Sequence, residues 1–436
     1  MYPNLYYALK DLLGIDWQWT KILNSFGLLL AISFLCAAIV LYREFNRKQA
    51  QGLFTPTQEH YIAGAPASIS ELVWQCVFGF LVGFKFLGGI VSGELQQDAQ
   101  GYIASTKGNL LFGVLIGGLF AFMRWYEKDK QKLPKPEARV RNIWPKDRVG
   151  DITMLAMVGG IVGAKLFHFF ENWAEFTSDP WGSITALGGL TFYGGLIVAA
   201  IVILTYAKRK LIPWKHLVDA VAPGLMIAYA VGRLGCQVSG DGDWGIYNSA
   251  YTTTPTGQVI QATPSNNMDS MLKYNPEAAH YFAANDIKQF GHIPHKAYQA
   301  PSYIPTWLVA MNYTHNVNGV GVVIKDDPME EKYNRMLPIP VFPTPIYEFV
   351  ICTLMFLTLM ALRKKIVVPG VLFGIYLIMN GVERFVVETI RVNTQYHILG
   401  LKPSQAEIIA VCLVLLGVAI IYTSKQSAKA THTTAP

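Results

Sequence analysis

Arg233 stands at the end of the apolar run 217–235, at the head of a glycine-rich turn, in GRLGCQVSGDGDWG with Asp241 and Asp243 close behind. A guanidinium at the end of a hydrocarbon-length segment is costly unless it faces a wet cavity or an anionic partner. Gly232, Gly235, Gly240, Gly242 and Gly245 around it allow turns and close backbone approaches that side chains would block. Far along the chain, Arg384 and Glu388 lie four apart in ERFVVETIR, on one helical face, with Glu383 and Arg391 nearby. A planar guanidinium suits bidentate contact with phosphate, and a carboxylate one turn away would hold it in that orientation. Two such arginines projected toward one membrane face would bracket a single phosphodiester. The plainer alternatives are an arginine snorkelling to the interface and a structural ion pair.

The elements that must carry these residues are membrane spans. The chain has 436 residues, 52% apolar and only 15% charged, and apolar runs near twenty residues long recur along it. That composition excludes an ordinary soluble domain and predicts an all-α polytopic membrane protein. About nine spans are expected, near 22–42, 72–92, 108–125, 152–172, 189–207, 217–235, 345–362, 369–387 and 404–423. The net charge of +7 does not point to a nucleic-acid partner, because the basic residues sit in short clusters at span ends. Arg43, Arg47 and Lys48 follow the first span; nine Lys/Arg fall in 124–148, four in 208–215 and three in 363–365. All lie on one side if there are nine spans, with the N-terminus out and the C-terminus in. The N-terminus lacks a basic n-region and cleavage site, so the first span is expected to stay. Cys36, Cys76, Cys236, Cys352 and Cys412 are scattered singly, which argues against a metal site or a disulfide framework. His168 lies on an apolar span, where a packed histidine is the simpler reading.

Residues 71–130 align with 151–210 at a constant offset of 80. Gly79, Gly83 and Lys85 match Gly159, Gly163 and Lys165; Gly108, Leu110 and Phe112 match Gly188, Leu190 and Phe192; Tyr126, Lys128 and Lys130 match Tyr206, Lys208 and Lys210. This predicts a duplicated helix pair, although membrane composition alone can produce part of such a match. The expected division is 1–70 (N-terminal segment and first span), 71–130 (inserted pair), 131–239 (core spans and the start of the signature loop), 240–343 (external loop subdomain), 344–424 (C-terminal core spans) and 425–436 (cytoplasmic tail). The segment 240–343 is polar and rich in Pro, Asn and Tyr, with VNGVGVVIK at 317–325 reading as a short strand region. A connection this long beside a candidate site is expected to form a lid or a substrate-facing subdomain.

GRLGCQVSGDGDWG resembles the signature loop of the prolipoprotein diacylglyceryl transferases, and LTFYGGLIVAA at 190–200, PTPIYEF at 343–349 and ERFVVETIR at 383–391 agree with that family in order. The resemblance implies a seven-helix core in the bacterial cytoplasmic (inner) membrane. It also implies transfer of the diacylglyceryl group of phosphatidylglycerol to the lipobox cysteine of a prolipoprotein signal peptide, with no metal or organic cofactor. By that resemblance Arg233 and Arg384 would contact the phosphate, Glu388 would orient Arg384, and Tyr193 would stand at the position usually held by a histidine. Gly194 and Gly195 complete that motif, with helix packing as their structural alternative. Cys236 and Ser239 replace the usual loop asparagines, Asp241 keeps the loop acid, and Lys165 replaces an arginine. Phe26 replaces the first-span tyrosine, while Tyr347 is retained and Phe342 replaces a histidine. A noncatalytic lipid- or lipoprotein-binding paralogue that kept the arginines is the alternative reading. A transporter ranks third, because no pair of broken helices is arranged as inverted repeats.

Overall fold

The computed structural model describes residues 1–436 apart from 98, 186–188, 190, 392–402 and 434–436. The nine apolar runs are nine long helices among the described residues. They are α1 Ser25–Ala50, α2 Ile69–Ser92, α3 Leu110–Lys130, α4 Val149–Glu171, α5 Phe192–Arg209, α6 Trp214–Ser239, α7 Thr344–Leu362, α8 Val371–Glu388 and α9 Gln405–Thr433. Eight of them are long and apolar enough to cross a membrane by length and composition. The other, α8, has 18 residues and carries Glu383, Arg384 and Glu388, so polar content sets it apart. The protein is an all-α polytopic membrane protein. Helices suit this setting because they satisfy their backbone groups internally, and large apolar side chains such as Trp74, Phe78, Leu111 and Phe122 face outward.

The chain forms two compact units, Met1–Ile15 with Leu23–Leu41 and Lys215–Pro436, and Asp16–Ile22 with Tyr42–Trp214. In the first, small residues bring α8 and α9 together. A Cβ on Gly381 would lie 2.6 Å from the Ala410 carbonyl, and one on Gly417 would lie 2.6 Å from that of Gly374. Close backbone approach of this kind is how apolar helices associate without a hydrophobic driving force. At the opposite end of α8 from its charges, Asp219 of α6 accepts from Gly370 N (2.7 Å) and Phe373 N (2.9 Å). The carboxylate satisfies amides at the start of α8, where the helix dipole favours negative charge. This fixes α8 along its axis against α6.

The segment 240–343 folds with a core of its own. Tyr313, Phe282, Met336, Leu337, Ile339 and Val341 are fully or almost fully buried there. It holds short helices and two-stranded pairings, including Tyr251–Thr253 with Val259–Gln261 and Val322–Val323 with Arg335–Met336. One strand of the second pairing, Val322–Val323, falls in the stretch where a strand is expected. Gly321, at φ +104°, is required there, since a Cβ would overlap the Met336 carbonyl. So polar a segment packs because buried asparagines serve its irregular backbone. Asn316 donates to Val320 O and accepts from Val320 N, and Asn248 donates to Tyr298 O and Val309 O. Asp286 is buried against the Tyr247 hydroxyl (3.1 Å), and that burial pushes its carboxyl up to about 6.

The second unit contains two helix hairpins with similar contacts, in which the first helices correspond at an offset of 80 but the second helices at an offset of 82, two residues out of the ungapped alignment. Phe84 O accepts from Asn109 N ahead of α3, and Ala164 O, 80 positions on from Phe84, accepts from Thr191 N ahead of α5. Gly83 meets the backbone of Phe112, and Gly163 meets that of Gly194. Glu71 at the start of α2 pairs with Arg124 and Lys128 at the end of α3, while Asp151, 80 on from Glu71, accepts from the Tyr206 hydroxyl of α5. Two of the matched pairs involve Gly188 and Leu190, which lie outside the described residues. An antiparallel ribbon of β1 (Thr57–Ala63) and β2 (Glu137–Ile143) joins the segments that lead into the two hairpins. Glu59 on β1 binds Arg148 and Lys210, each at 2.7 Å.

Candidate active site

The first unit draws α6, α7, α8 and the loop after α6 together at one end. Gly245 N donates to Phe342 O just before α7, and Ile246 N donates to Ile390 O just after α8. Gly245 permits this double pairing, because a Cβ would lie 2.7 Å from Ile390 O and 3.0 Å from Phe342 O. The Thr344 hydroxyl at the start of α7 donates to Asp243 O (2.9 Å). Three helix ends and one glycine-rich loop are thereby tied at a single level.

Glu348 of α7 is the hub of what they assemble. Its side chain is wholly buried, and three guanidinium groups converge on it. Arg384 and Arg391 lie 3.6 and 3.5 Å from Oε1, and Arg233 Nε lies 3.1 Å from Oε2 without the alignment of a hydrogen bond. Tyr229, one turn before Arg233, donates to Oε1 (2.9 Å) and lies under the Arg233 guanidinium. Glu388 is 3.7 Å from Arg384 and accepts from the Ser404 hydroxyl ahead of α9 (2.6 Å). Asp243 closes the network from outside. One oxygen pairs with Arg233, and the other accepts from Arg391 at 2.7 Å. Burial works to raise the Asp243 carboxyl, but the charges of Arg233 and Arg391 outweigh it and hold it below its ordinary value.

Arginines fixed on buried carboxylates are pre-oriented donors, and a low-dielectric setting strengthens what they offer an anion. Of the residues singled out from sequence, Arg233, Arg384 and Glu388 come together here. Cys236 lies beside them, its sulfur 3.7 Å from Asp243. Phe26 of α1 packs on Gly235 of α6. Asp241 sits next to the cluster, and Asp243 carries the ion pairs among the described residues. Burial, then the charge of Asp243, push the Asp241 carboxyl up to about 6. Ser239 is buried and donates to Gly235 O (2.9 Å), so its hydroxyl is engaged within α6. The Tyr347 hydroxyl donates to Leu308 O, binding α7 to the 240–343 segment.

Tyr193, Gly194, Gly195 and Lys165 belong to the second unit. Gly194 and Gly195 form the α4–α5 contact, where an added Cβ would lie 2.7 Å from Gly163 O and Gly160 O respectively. Tyr193 packs edge-on to Phe192, and the Lys165 ammonium lies 5.6 Å above the Phe169 ring. His168 Nδ1 sits 3.0 Å from the Asn172 amide, as expected of a satisfied histidine. Glu348, Asp243 and Arg391 join the site here without being among the site residues expected from sequence. The signal for Glu348 was available: it is the sole charged residue of α7, and a lone carboxylate in an apolar helix must find a cation.

Comparison with known proteins identifies the family. The family model for prolipoprotein diacylglyceryl transferase matches residues 109–423, which include all three arginines and Glu348. A phosphatidylglycerol–prolipoprotein diacylglyceryl transferase of Streptococcus uberis is 26% identical over 281 residues, covering 63% of this chain and 78% of that protein. One from Streptococcus agalactiae is 26% identical over 292 residues, covering 66% and 84%. One from Leptospira interrogans is 33% identical over 136 residues, covering 26% of this chain and 42% of its own length. The chain belongs to the prolipoprotein diacylglyceryl transferase family.

Proposed function

We propose that the protein transfers the diacylglyceryl group of phosphatidylglycerol to the lipobox cysteine thiol of a prolipoprotein, forming a thioether and releasing glycerol phosphate. The observation that carries this reading is the convergence of Arg233, Arg384 and Arg391 on the buried Glu348 in a member of this family. In the reaction the thiol gives up its proton to water, and its sulfur attacks the diacylglyceryl carbon bonded to the phosphate oxygen. That carbon–oxygen bond breaks, and a second negative charge develops on the departing phosphate. Guanidinium groups already aimed at the phosphate stabilise that charge without reorganising. Glu388 holds Arg384 for this role, itself held by Ser404. The reaction as written needs no cofactor. Tyr193 is assigned by resemblance, and partial loss of activity in Tyr193→Phe is the expected outcome.

The partners are phosphatidylglycerol, signal peptides with a lipobox cysteine, and the lipid of a bacterial cytoplasmic membrane. We place the N-terminus outside, the C-terminus inside and the 240–343 segment outside, from the positions of the basic clusters. With native thiols removed, an impermeant reagent added from outside should label a cysteine at Ser270 and not one at Lys135. The reverse pattern would reject this orientation. We also read 71–130 as a structural duplicate of 151–210, supported by similar hairpin contacts once the second helices are shifted by two residues. The function itself is tested by complementation. Expression should restore lipoprotein lipidation in a bacterium depleted of its own transferase. Normal membrane levels without lipidation would favour a lipid-binding paralogue instead.

A further inference from the structure

The ion pairs of the arginine cluster match three to three, Arg233, Arg384 and Arg391 against Glu348, Glu388 and Asp243, with the carboxyls of Glu383 and Asp241 also close by. An incoming phosphodiester brings one more negative charge, and replacing an existing anion would offset it. The carboxylates differ in which could give way. Glu348 and Glu388 are buried on their helices, with side-chain exposures of 0% and 2%, whereas Asp243 is 38% exposed and lies on a loop. Its two oxygens are shared between two guanidinium groups, one on Arg233 and one on Arg391. Those arginines are only 14% and 10% exposed, and Asp243 is paired to both. A phosphodiester also presents two non-bridging oxygens, and it could span the same pair of donors. The loop that carries Asp243 has left-handed glycines at Gly240 (φ +69°) and Gly242 (φ +82°) ahead of it, and α6 ends just before them at Ser239. Such positions can absorb a change of backbone direction.

We propose that the Asp243 carboxylate is an internal stand-in for the donor phosphate: phosphatidylglycerol binds by displacing it from Arg233 and Arg391. The proposal rests on the functional reading above, since it takes the donor to be an anionic phospholipid. Asp243 is thus a gate to the site. It neutralises two buried cations while the site is empty, and it makes donor affinity the difference between two anions competing for the same guanidinium pair. Weak anions fail to displace it, which sets a threshold for occupancy.

The test measures lipid binding and does not depend on turnover. Purified protein in detergent micelles is titrated with phosphatidylglycerol, with phosphatidylcholine as the zwitterionic control, and bound lipid is counted by native mass spectrometry. Asp243→Asn keeps the shape and removes the charge, so it should bind phosphatidylglycerol about 5- to 20-fold more tightly, toward the lower end of typical coupling between competing sites. Asp243→Glu keeps the charge and should show no such gain. The gain should also vanish when Asp243→Asn is combined with Arg391→Gln, which a general loosening of the loop would not predict. Unchanged or weaker binding by Asp243→Asn, with wild type still preferring phosphatidylglycerol, overturns the gate and leaves the donor assignment standing. If neither wild type nor variant prefers phosphatidylglycerol over phosphatidylcholine, the donor assignment fails and the gate with it.

Discussion

Arg384→Lys and Arg233→Lys should each lose nearly all transferase activity while keeping the charge. Each arginine makes contacts that an ammonium cannot reproduce. Arg384 reaches Glu348 through one terminal nitrogen and Glu388 through the other, and Arg233 spans Asp243 and Glu348. Lysine supplies a point charge with no fork, so it could neutralise one partner but not hold a planar donor toward a third. Removing one such donor aimed at developing negative charge costs about 10²–10³ in rate. Glu388→Gln should lose less, because it disturbs only the orientation of Arg384. The measurement is initial rate of thioether formation on a lipobox peptide at saturating phosphatidylglycerol. Wild-type rates in Arg384→Lys would remove that residue from the phosphate clamp.

Glu348→Ala should damage both stability and activity, more than any other single carboxylate change in the cluster. The residue is wholly buried and balances three guanidinium groups. Breaking a buried ion pair by removing one partner typically costs ~3–5 kcal/mol, because the remaining charge is left uncompensated. Here three cations lose a common partner, and the Tyr229 hydroxyl loses its acceptor. Glu348→Gln keeps the volume and the Tyr229 hydrogen bond, so it separates the two effects. It should fold better than the alanine variant yet remain as inactive as Arg384→Lys, since neutralising the hub removes the one charge that all three arginines share. Thermal unfolding in detergent, read beside the peptide assay, checks both. A glutamine variant with normal melting and normal turnover would show that Glu348 is only a packing element.

Much of this architecture is legible in the amino-acid sequence, because a membrane span imposes a long apolar run and leaves its charges at the ends. All nine helices overlap the runs where hydropathy places them; α1 and α9 run on to Ala50 and Thr433, past expected ends near 42 and 423, and α6 to Ser239, past 235. That extension puts Cys236 and Ser239 inside the helix, with Gly240 as the first residue of the turn. Arg233, Arg384 and Glu388 are legible for the same reason of cost: charges in apolar helices require partners. What local pattern does not show is which partner each one finds. Arg384 has Glu383 beside it in sequence and Glu388 one turn on, yet its other ion pair is to Glu348 on a different helix. Asp243 and Asp241 are chemically alike and two residues apart. The pairing of Gly245 and Ile246 with the ends of α7 and α8 accompanies the ion pairs of Asp243 to Arg233 and Arg391. The core of 240–343 is hidden for a related reason. Its buried positions follow no helical or strand period, and asparagine side chains replace much of the regular hydrogen bonding.

On the function proposed above, the arginine cluster serves chemistry on phosphatidylglycerol and not its binding alone. The most direct measurement gives purified wild-type protein phosphatidylglycerol labelled in its glycerol headgroup and a synthetic lipobox peptide. The diacylglyceryl thioether is then detected by mass spectrometry and the released glycerol phosphate by its label. The predicted result is equimolar appearance of both products, lost in Arg233→Lys and Arg384→Lys. Phosphatidylglycerol binding with neither product formed would contradict the account and leave a lipid-binding member of the family.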